Sequence, residues 1–230
     1  MRTELLDHGF VRLVDSMGSD LSVVRAARVS YDADWRAGVD EKGDARLINY
    51  LWRNHHTTPF EAVTLTFEVM APIFVFRQWH RHRTQSYNEL SARYRELPGT
   101  FYIPRPEDIG SQATDNKQAR HIADGQIPSG RLAEVERLRS HCSHAHSIYQ
   151  DLLASGWPRE LARMALPVNV YSHMFATMNL LNFFRFATLR DDPHAQMEIR
   201  VYAKAMVQMV RHVAPVCVQA WESERNARND

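Results

Sequence analysis

Apolar positions change their period several times along the chain, and each change marks an element. Residues 21–29 (LSVVRAARV) space their apolar side chains along one face of a helix, with Asp20 placed to cap it. Residues 32–44 are charged and carry glycine, so they read as a loop. Leu47, Ile48, Leu51 and Trp52 form the stripe of an amphipathic helix that runs out around His55 and His56, where Thr57-Thr58-Pro59 breaks it. Val63, Leu65, Phe67 and Val69 alternate with Thr64, Thr66 and Glu68, the period of a strand with one buried face. Pro72 can open a helix over 73–80, because a missing N–H costs nothing in a first turn. A short strand is expected over 101–104 and a polar surface loop over 105–130. A long helix follows over 132–154, then a short one from Pro158 stopped at Pro167. Residues 168–178 are rich in β-branched and aromatic types and read as a strand, and 180–189 as a helix. Asp192-Pro193 supplies the cap and first residue of a helix reaching about residue 213. A few strands among long helices place the chain in the α+β class, with no clean domain boundary.

Composition narrows the function classes. The 230 residues are 44% hydrophobic and 24% charged, which excludes disordered and low-complexity chains. Lys and Arg number 28 against 27 Asp and Glu, a net +1, so any affinity for phosphate must be local. Cys142 and Cys217 are too few for a disulfide scaffold or a cysteine zinc finger. The opening MRTELLDHGFVRLVD carries acids within its apolar stretch, unlike a signal peptide, and no apolar run approaches a membrane span. The expectation is a soluble protein of the cytoplasm that engages no membrane.

The most informative text is RHRTQSYNELSARY, residues 81–94. Ser86 and Glu89 have the spacing of a capping box, which predicts a helix starting at Tyr87 with Arg81, His82 and Arg83 just ahead of it. Helix N-termini favour anions, and guanidinium groups grip phosphate bidentately, so the segment reads as a phosphate site. Taken singly, the same residues are a plain cap, an exposed Glu89–Arg93 pair and solvated loop charges. Two other chemistries compete. His141, Cys142, His144 and His146 cluster as metal ligands do, but no second ligand pair accompanies them, so no metal is expected. The basic run with Trp79, Tyr87 and Tyr94 nearby suggests nucleic acid, but the net charge and the lack of a basic stripe speak against it.

RHRTQSYNELSARY also resembles the R-H-R-x-x-S-x-N-x-x-S-x-R-Y signature of the flavin-dependent thymidylate synthases, at all eight fixed positions. At about one in twenty per position, an accidental match is on the order of 10⁻¹⁰. The segments LVDSMGSDLSVVRAARVSYD, HHTTPFEAVTLTFEV, APIFVFRQWHRHR, PRELARMALPVNVY and LRDDPHAQMEIRVYA are similar to family segments as well. The resemblance implies one domain over 1–230, an antiparallel sheet flanked by long helices, and reductive C5 methylation of dUMP to dTMP. It implies FAD as cofactor, with NADPH and methylenetetrahydrofolate as co-substrates, and a homotetramer with active sites between subunits. C5 methylation of another uridine nucleotide such as UMP is the nearest alternative.

The resemblance also implies roles for individual residues. Arg190 is the catalytic guanidinium that polarises the uracil, since neither cysteine stands in a nucleophile setting. In isolation, Arg190 reads equally as a cation at a helix C-terminus. Gln78, Arg81, Glu89, Ser91, Arg93, Arg163 and Arg190 are implied to bind the substrate. Ser30, His56, Thr58, Arg81, His82, Arg83, Glu89 and Asn179 are implied to bind flavin, with His194 near the ring. Asn179 alone could simply cap the next helix. The chain departs from the pattern beyond Asn179. Several family members carry Arg two residues on and Asn or His six residues on, where this chain has Leu181 and Arg185, so Arg185 is a secondary candidate for a phosphate contact.

Overall fold

The computed structural model describes residues 1–114, 120–122 and 127–227. In chain order its elements are β1 (Arg2–Leu5), β2 (Gly9–Met17), α1 (Asp20–Arg28), α2 (Glu41–Arg53), β3 (Thr64–Pro72), α3 (Ile73–Trp79) and β4 (Ser86–Glu89). They continue with α4 (Pro106–Ile109), β5 (Ser111–Gln112), β6 (Arg120–His121), α5 (Arg131–Ala154), α6 (Arg159–Ala162), β7 (Tyr171–Asn179), α7 (Leu180–Arg190), α8 (Met197–Arg211) and α9 (Pro215–Ala227). The main sheet has the order β1-β2-β3-β7-β4, and each of its neighbours pairs antiparallel. The expected α+β class, an antiparallel sheet flanked by long helices, is what the chain adopts.

The period-2 pattern of β3 does the work expected of it. Leu65, Phe67 and Val69 lie opposite Met178, Ala176 and Met174 of β7, and all six are buried on the helix-covered face. Phe67 stacks on Phe183 of α7 at 6.0 Å between ring centroids, and Trp79 of α3 lies 4.7 Å from Phe186. Tyr202 of α8 donates to the Met70 carbonyl at 2.8 Å. Gly9 makes room for that bond, since a Cβ there would stand 2.0 Å from the Tyr202 hydroxyl. The opposite face of the sheet stays half-open. There Thr66 and Thr177 share a hydrogen bond at 3.0 Å, and Glu68 bridges Arg12 and His173.

Several sequence expectations are corrected. Residues from Tyr87 do not start a helix: Ser86–Glu89 is an edge strand, with Ser86 opposite Thr177 and Glu89 opposite Met174. Pairing with the open edge of β7 outweighs the local capping signal, and Leu90 extends the ladder by donating to the His173 carbonyl at 2.8 Å. The Glu89–Arg93 helix pair therefore does not form, and Arg93 pairs instead with Glu160 at 3.2 Å. Helix α8 begins at Met197 rather than at Pro193, because Asp192 folds back to accept from His194 N at 2.8 Å in a local turn. Ser19, not Asp20, precedes α1 as its cap. Asp20 instead accepts from Val216 N and Cys217 N at 3.0 and 2.9 Å, capping α9 from the other end of the chain.

The expected loop over 32–44 contains the start of α2, where Asp40 accepts from Gly43 N at 2.9 Å. Gly43 is there for closeness, since a Cβ would meet the Asp40 carboxylate at 2.3 Å. The strand expected at 101–104 is a single bridge, Phe101 to Val170. Within 105–130, α4 and the β5–β6 ladder stand where a loop was expected, and residues 115–119 and 123–126 lie outside the described residues. Among the described residues, no helix is long and apolar enough to cross a membrane.

Candidate active site

The expected site residues fall into three groups and an exposed pair of arginines, and helix α3 explains the division between the first two groups. Consecutive helix positions point about 100° apart, so neighbours on α3 serve different sides. Arg77 and His80 line a cavity of about 530 Å³, together with Glu89, Ser91, Arg163 and Ser172. That volume lies within the range of roughly 300–1,000 Å³ usual for small-molecule sites. Ser172, 4% exposed, donates to Glu89 Oε1 at 2.7 Å and fixes that carboxylate on the cavity wall. Ser91 accepts from Arg93 N at 3.3 Å in a short turn, so the hydroxyl that organises the local backbone is Ser91 rather than Ser86. Arg93 sits on the rim, held by Glu160.

Gln78 and His82 face the other way, toward the C-terminus of α7. Arg190 Nε donates to His82 Nε2 at 3.0 Å, and Arg190 Nη2 donates to the Gln78 carbonyl at 3.1 Å. The Gln78 amide donates to Gln196, a residue the sequence did not flag. Burial, and then the nearby guanidinium, push the His82 pKa down to about 4, so the imidazole is neutral near pH 7. Its ring packs edge-on against Phe186 at 5.0 Å. Tyr87 closes the turn by donating to the His82 carbonyl at 2.7 Å, and burial raises its phenol to about 12. His194 is exposed beside this group, its backbone N–H and ring held by Asp192 Oδ1 at 2.8 and 2.9 Å.

The third group stands at the far end of the sheet. Asn179 does cap α7, accepting from Asn182 N at 2.9 Å, while its Nδ2 keeps no partner among the described residues. Ser30, His56 and Thr58 are exposed; the His56 ring meets Tyr50 edge-on at 5.8 Å. Helix α2 ends in a Schellman turn that aims His56: His56 N donates to the Leu51 carbonyl, His55 N to the Trp52 carbonyl, and His55 takes a φ of 58°. Leu181 is buried in the core. Arg185, one turn further on, is exposed and donates to Asn182 at 3.2 Å.

Arg81 and Arg83 are exposed in the turn between α3 and β4, with no ion pair among the described residues. Guanidiniums without acid partners, flanked by free hydroxyl and amide donors, suit an organic diphosphate and its sugars. Neither cysteine offers a nucleophile. Cys142 is buried against Asn169, and burial together with Asp20 pushes the Cys217 thiol far up. Sequence reasoning missed Arg77, His80, Ser172 and Gln196. Ser172 left one trace, as a polar residue in phase with the buried Met174, Ala176 and Met178.

Comparison with known proteins identifies the family. The model of the family described as thymidylate synthase complementing protein matches residues 12–216. The flavin-dependent thymidylate synthase of Thermotoga neapolitana is 43% identical over 96% of this chain and 94% of its own length. That of Rickettsia conorii is 42% identical over 96% of this chain and 78% of its own. The crystal structure of a UMP/dUMP methylase, PolB from Streptomyces cacaoi, bound with 5-Br dUMP, superposes with a TM-score of 0.85 at 38% identity, covering 96% of this chain and 97% of the other. With a family model spanning most of its length and these relatives above 40% identity, the chain belongs to the thymidylate synthase complementing protein family.

Proposed function

We propose that this protein is a flavin-dependent thymidylate synthase that methylates C5 of dUMP to give dTMP, with methylenetetrahydrofolate as carbon donor. The observation that carries the reading is the Arg190 guanidinium, half-buried at the end of α7 and held by neutral acceptors among the described residues. A fixed cation beside the N3–O4 edge of uracil stabilises negative charge developing there, and C5 then becomes nucleophilic toward the methylene carbon. No thiol has to attack C6, in keeping with two buried cysteines. Gln78, Arg81, Glu89, Ser91, Arg93 and Arg163 bind the nucleotide in this reading, with Arg163 and Ser91 facing the 530 Å³ cavity.

In this reading FAD is held by Arg81, His82 and Arg83 in the turn, Ser30, His56, Thr58, Asn179 and Arg185 at the sheet end, Glu89 in the cavity, and His194 beside the ring. The chemistry supplied by FAD, once reduced by NADPH, is delivery of the hydride that completes the methyl group. His82 has its Nε2 engaged by Arg190, which leaves its Nδ1 edge for the cofactor.

The reading extends to a homotetramer with sites between subunits. Helix α3 walls the cavity off from Arg190. Seven residues of β7 separate Ser172, at the cavity, from Asn179, or about 23 Å at 3.3 Å per residue. Tyr94, Leu161, Met164 and Val168 are exposed near the cavity mouth, as a surface covered by a second copy would be. The core cluster runs from Val11 to Trp221, consistent with one domain over 1–230. Two free thiols and these co-substrates accord with the cytoplasm.

UMP as substrate remains the second reading, favoured by the 38% identity to a methylase of both nucleotides. The test is direct. The purified protein is expected to be yellow, to bleach with NADPH, and to methylate dUMP with a higher kcat/KM than UMP. A preparation that takes up no flavin and turns over neither nucleotide overturns the reading. Arg190→Ala is expected to keep flavin and to lose about 10²-fold or more in kcat, the usual loss for a charge-stabilising donor.

A further inference from the structure

The acids beside Arg190 in sequence are engaged elsewhere. Asp191 pairs with Arg225 at 2.8 Å, and Asp192 is taken up by His194. The guanidinium is therefore anchored without a carboxylate. Its Nε–Nη2 edge meets the imidazole of His82 and the carbonyl of Gln78, and Nη1 keeps no partner among the described residues. We propose that His82 is a positioning residue for the reaction, a neutral acceptor that aims the Arg190 guanidinium while leaving its charge uncancelled for the uracil. This rests on the role of Arg190 stated above and adds to it.

The physics favours a neutral partner over an acid. A carboxylate at 3 Å would cancel most of the cation's field at the substrate, whereas an imidazole nitrogen fixes direction and removes no charge. The anchor depends on His82 Nε2 carrying no proton, which places the ring proton on Nδ1. Every group that faces the ring serves that state. Arg190 on α7 repels a second proton, and Phe186 on the same helix desolvates the ring. The Tyr87 hydroxyl on β4 and the Gln78 carbonyl on α3 hold the turn and the guanidinium from either side. The adjacent cations Arg81 and Arg83 point to solvent, and no carboxylate meets the imidazole among the described residues. The turn itself is braced by Trp79 Nε1 donating to Gln85 at 3.1 Å.

A double-mutant cycle on the flavin-loaded protein tests this. His82→Phe keeps an aromatic ring against Phe186 and removes the acceptor, whereas His82→Gln restores a neutral acceptor. The expectation is a loss of about 10- to 100-fold in kcat per bound flavin for His82→Phe, whatever flavin occupancy it keeps, and recovery by His82→Gln to within about fivefold. In an Arg190→Ala background, His82→Phe should cost no more than about twofold further, because it acts through the missing guanidinium. Multiplying losses, or activity that falls only in step with lost flavin, overturn the positioning role while leaving Arg190 in place. Arg190→Ala with wild-type turnover overturns the role of Arg190 itself, and the proposal with it. If His82→Phe does not fold, His82→Gln decides: a loss as large as that of Arg190→Ala with flavin retained overturns it.

Discussion

At the scale of single residues, the site is built from charges that are deliberately left unpaired. Among the described residues, Arg190 keeps neutral partners and Arg81 and Arg83 face solvent without acids, while Arg225 is closed on Asp191 and Arg93 on Glu160. His82 carries the pH signature of this arrangement. Its folded pKa, about 4, lies below the unfolded value of about 6.5, so the unfolded chain binds more protons between those limits. His82 thus costs the fold stability as pH falls from about 6.5 toward 4, and contributes no such slope above 6.5. The Tm of His82→Gln relative to wild type is expected to rise as pH is lowered through that window, as scanning calorimetry at several pH values will show. An unchanged difference would mean that the imidazole is not desolvated.

At the scale of elements, what was legible in the sequence was periodic. Strand β3, helix α7 and the stripe of α2 declare themselves because each buries one face, and burial imposes the spacing. Residues 86–89 did not, because the capping box and the edge strand compete for the same four side chains. The vacancy beside β7 that decides between them is invisible until β7 is placed. The same holds for Asp20, whose partners lie 196 and 197 residues away. Of the site, the resemblance supplied identities and the structure supplied neighbours: nothing local links Gln196 to Gln78 or Ser172 to Glu89. Leu181 was legible as a departure from the family pattern, and the structure buries it in the core. The end of α2 yields a test of local geometry. His55 holds a left-handed φ that glycine adopts freely, so His55→Gly is expected to gain about 0.5–1 kcal/mol in unfolding free energy from denaturant titration, with the turn that aims His56 unchanged.

At the scale of the whole molecule, the proposed homotetramer with sites between subunits makes a testable demand. Arg163 lines the cavity with Arg77 and His80 of the α3 region, whereas Arg190 meets the neighbouring Gln78 and His82 instead. Sites completed between copies predict complementation. Arg163→Ala and Arg190→Ala should each be nearly inactive alone. Unfolded together and reassembled, they should regain a measurable fraction of wild-type turnover, because some mixed interfaces carry both intact residues. Steady-state rates across mixing ratios check this, and a mixture no better than its components would assign each site to a single chain.

The Asp20 carboxylate, bonded to two backbone amides at the start of α9, has a consequence for how the molecule is made. A nascent chain on the ribosome holds that acid near its beginning, and the amides it needs are synthesised some two hundred residues later. Until they emerge, the groove destined for Val218 and Trp221 stays open and apolar. Closure of this lock therefore waits for α9 to emerge, and contacts of such long sequence separation make folding slow and chaperone engagement useful in the meantime.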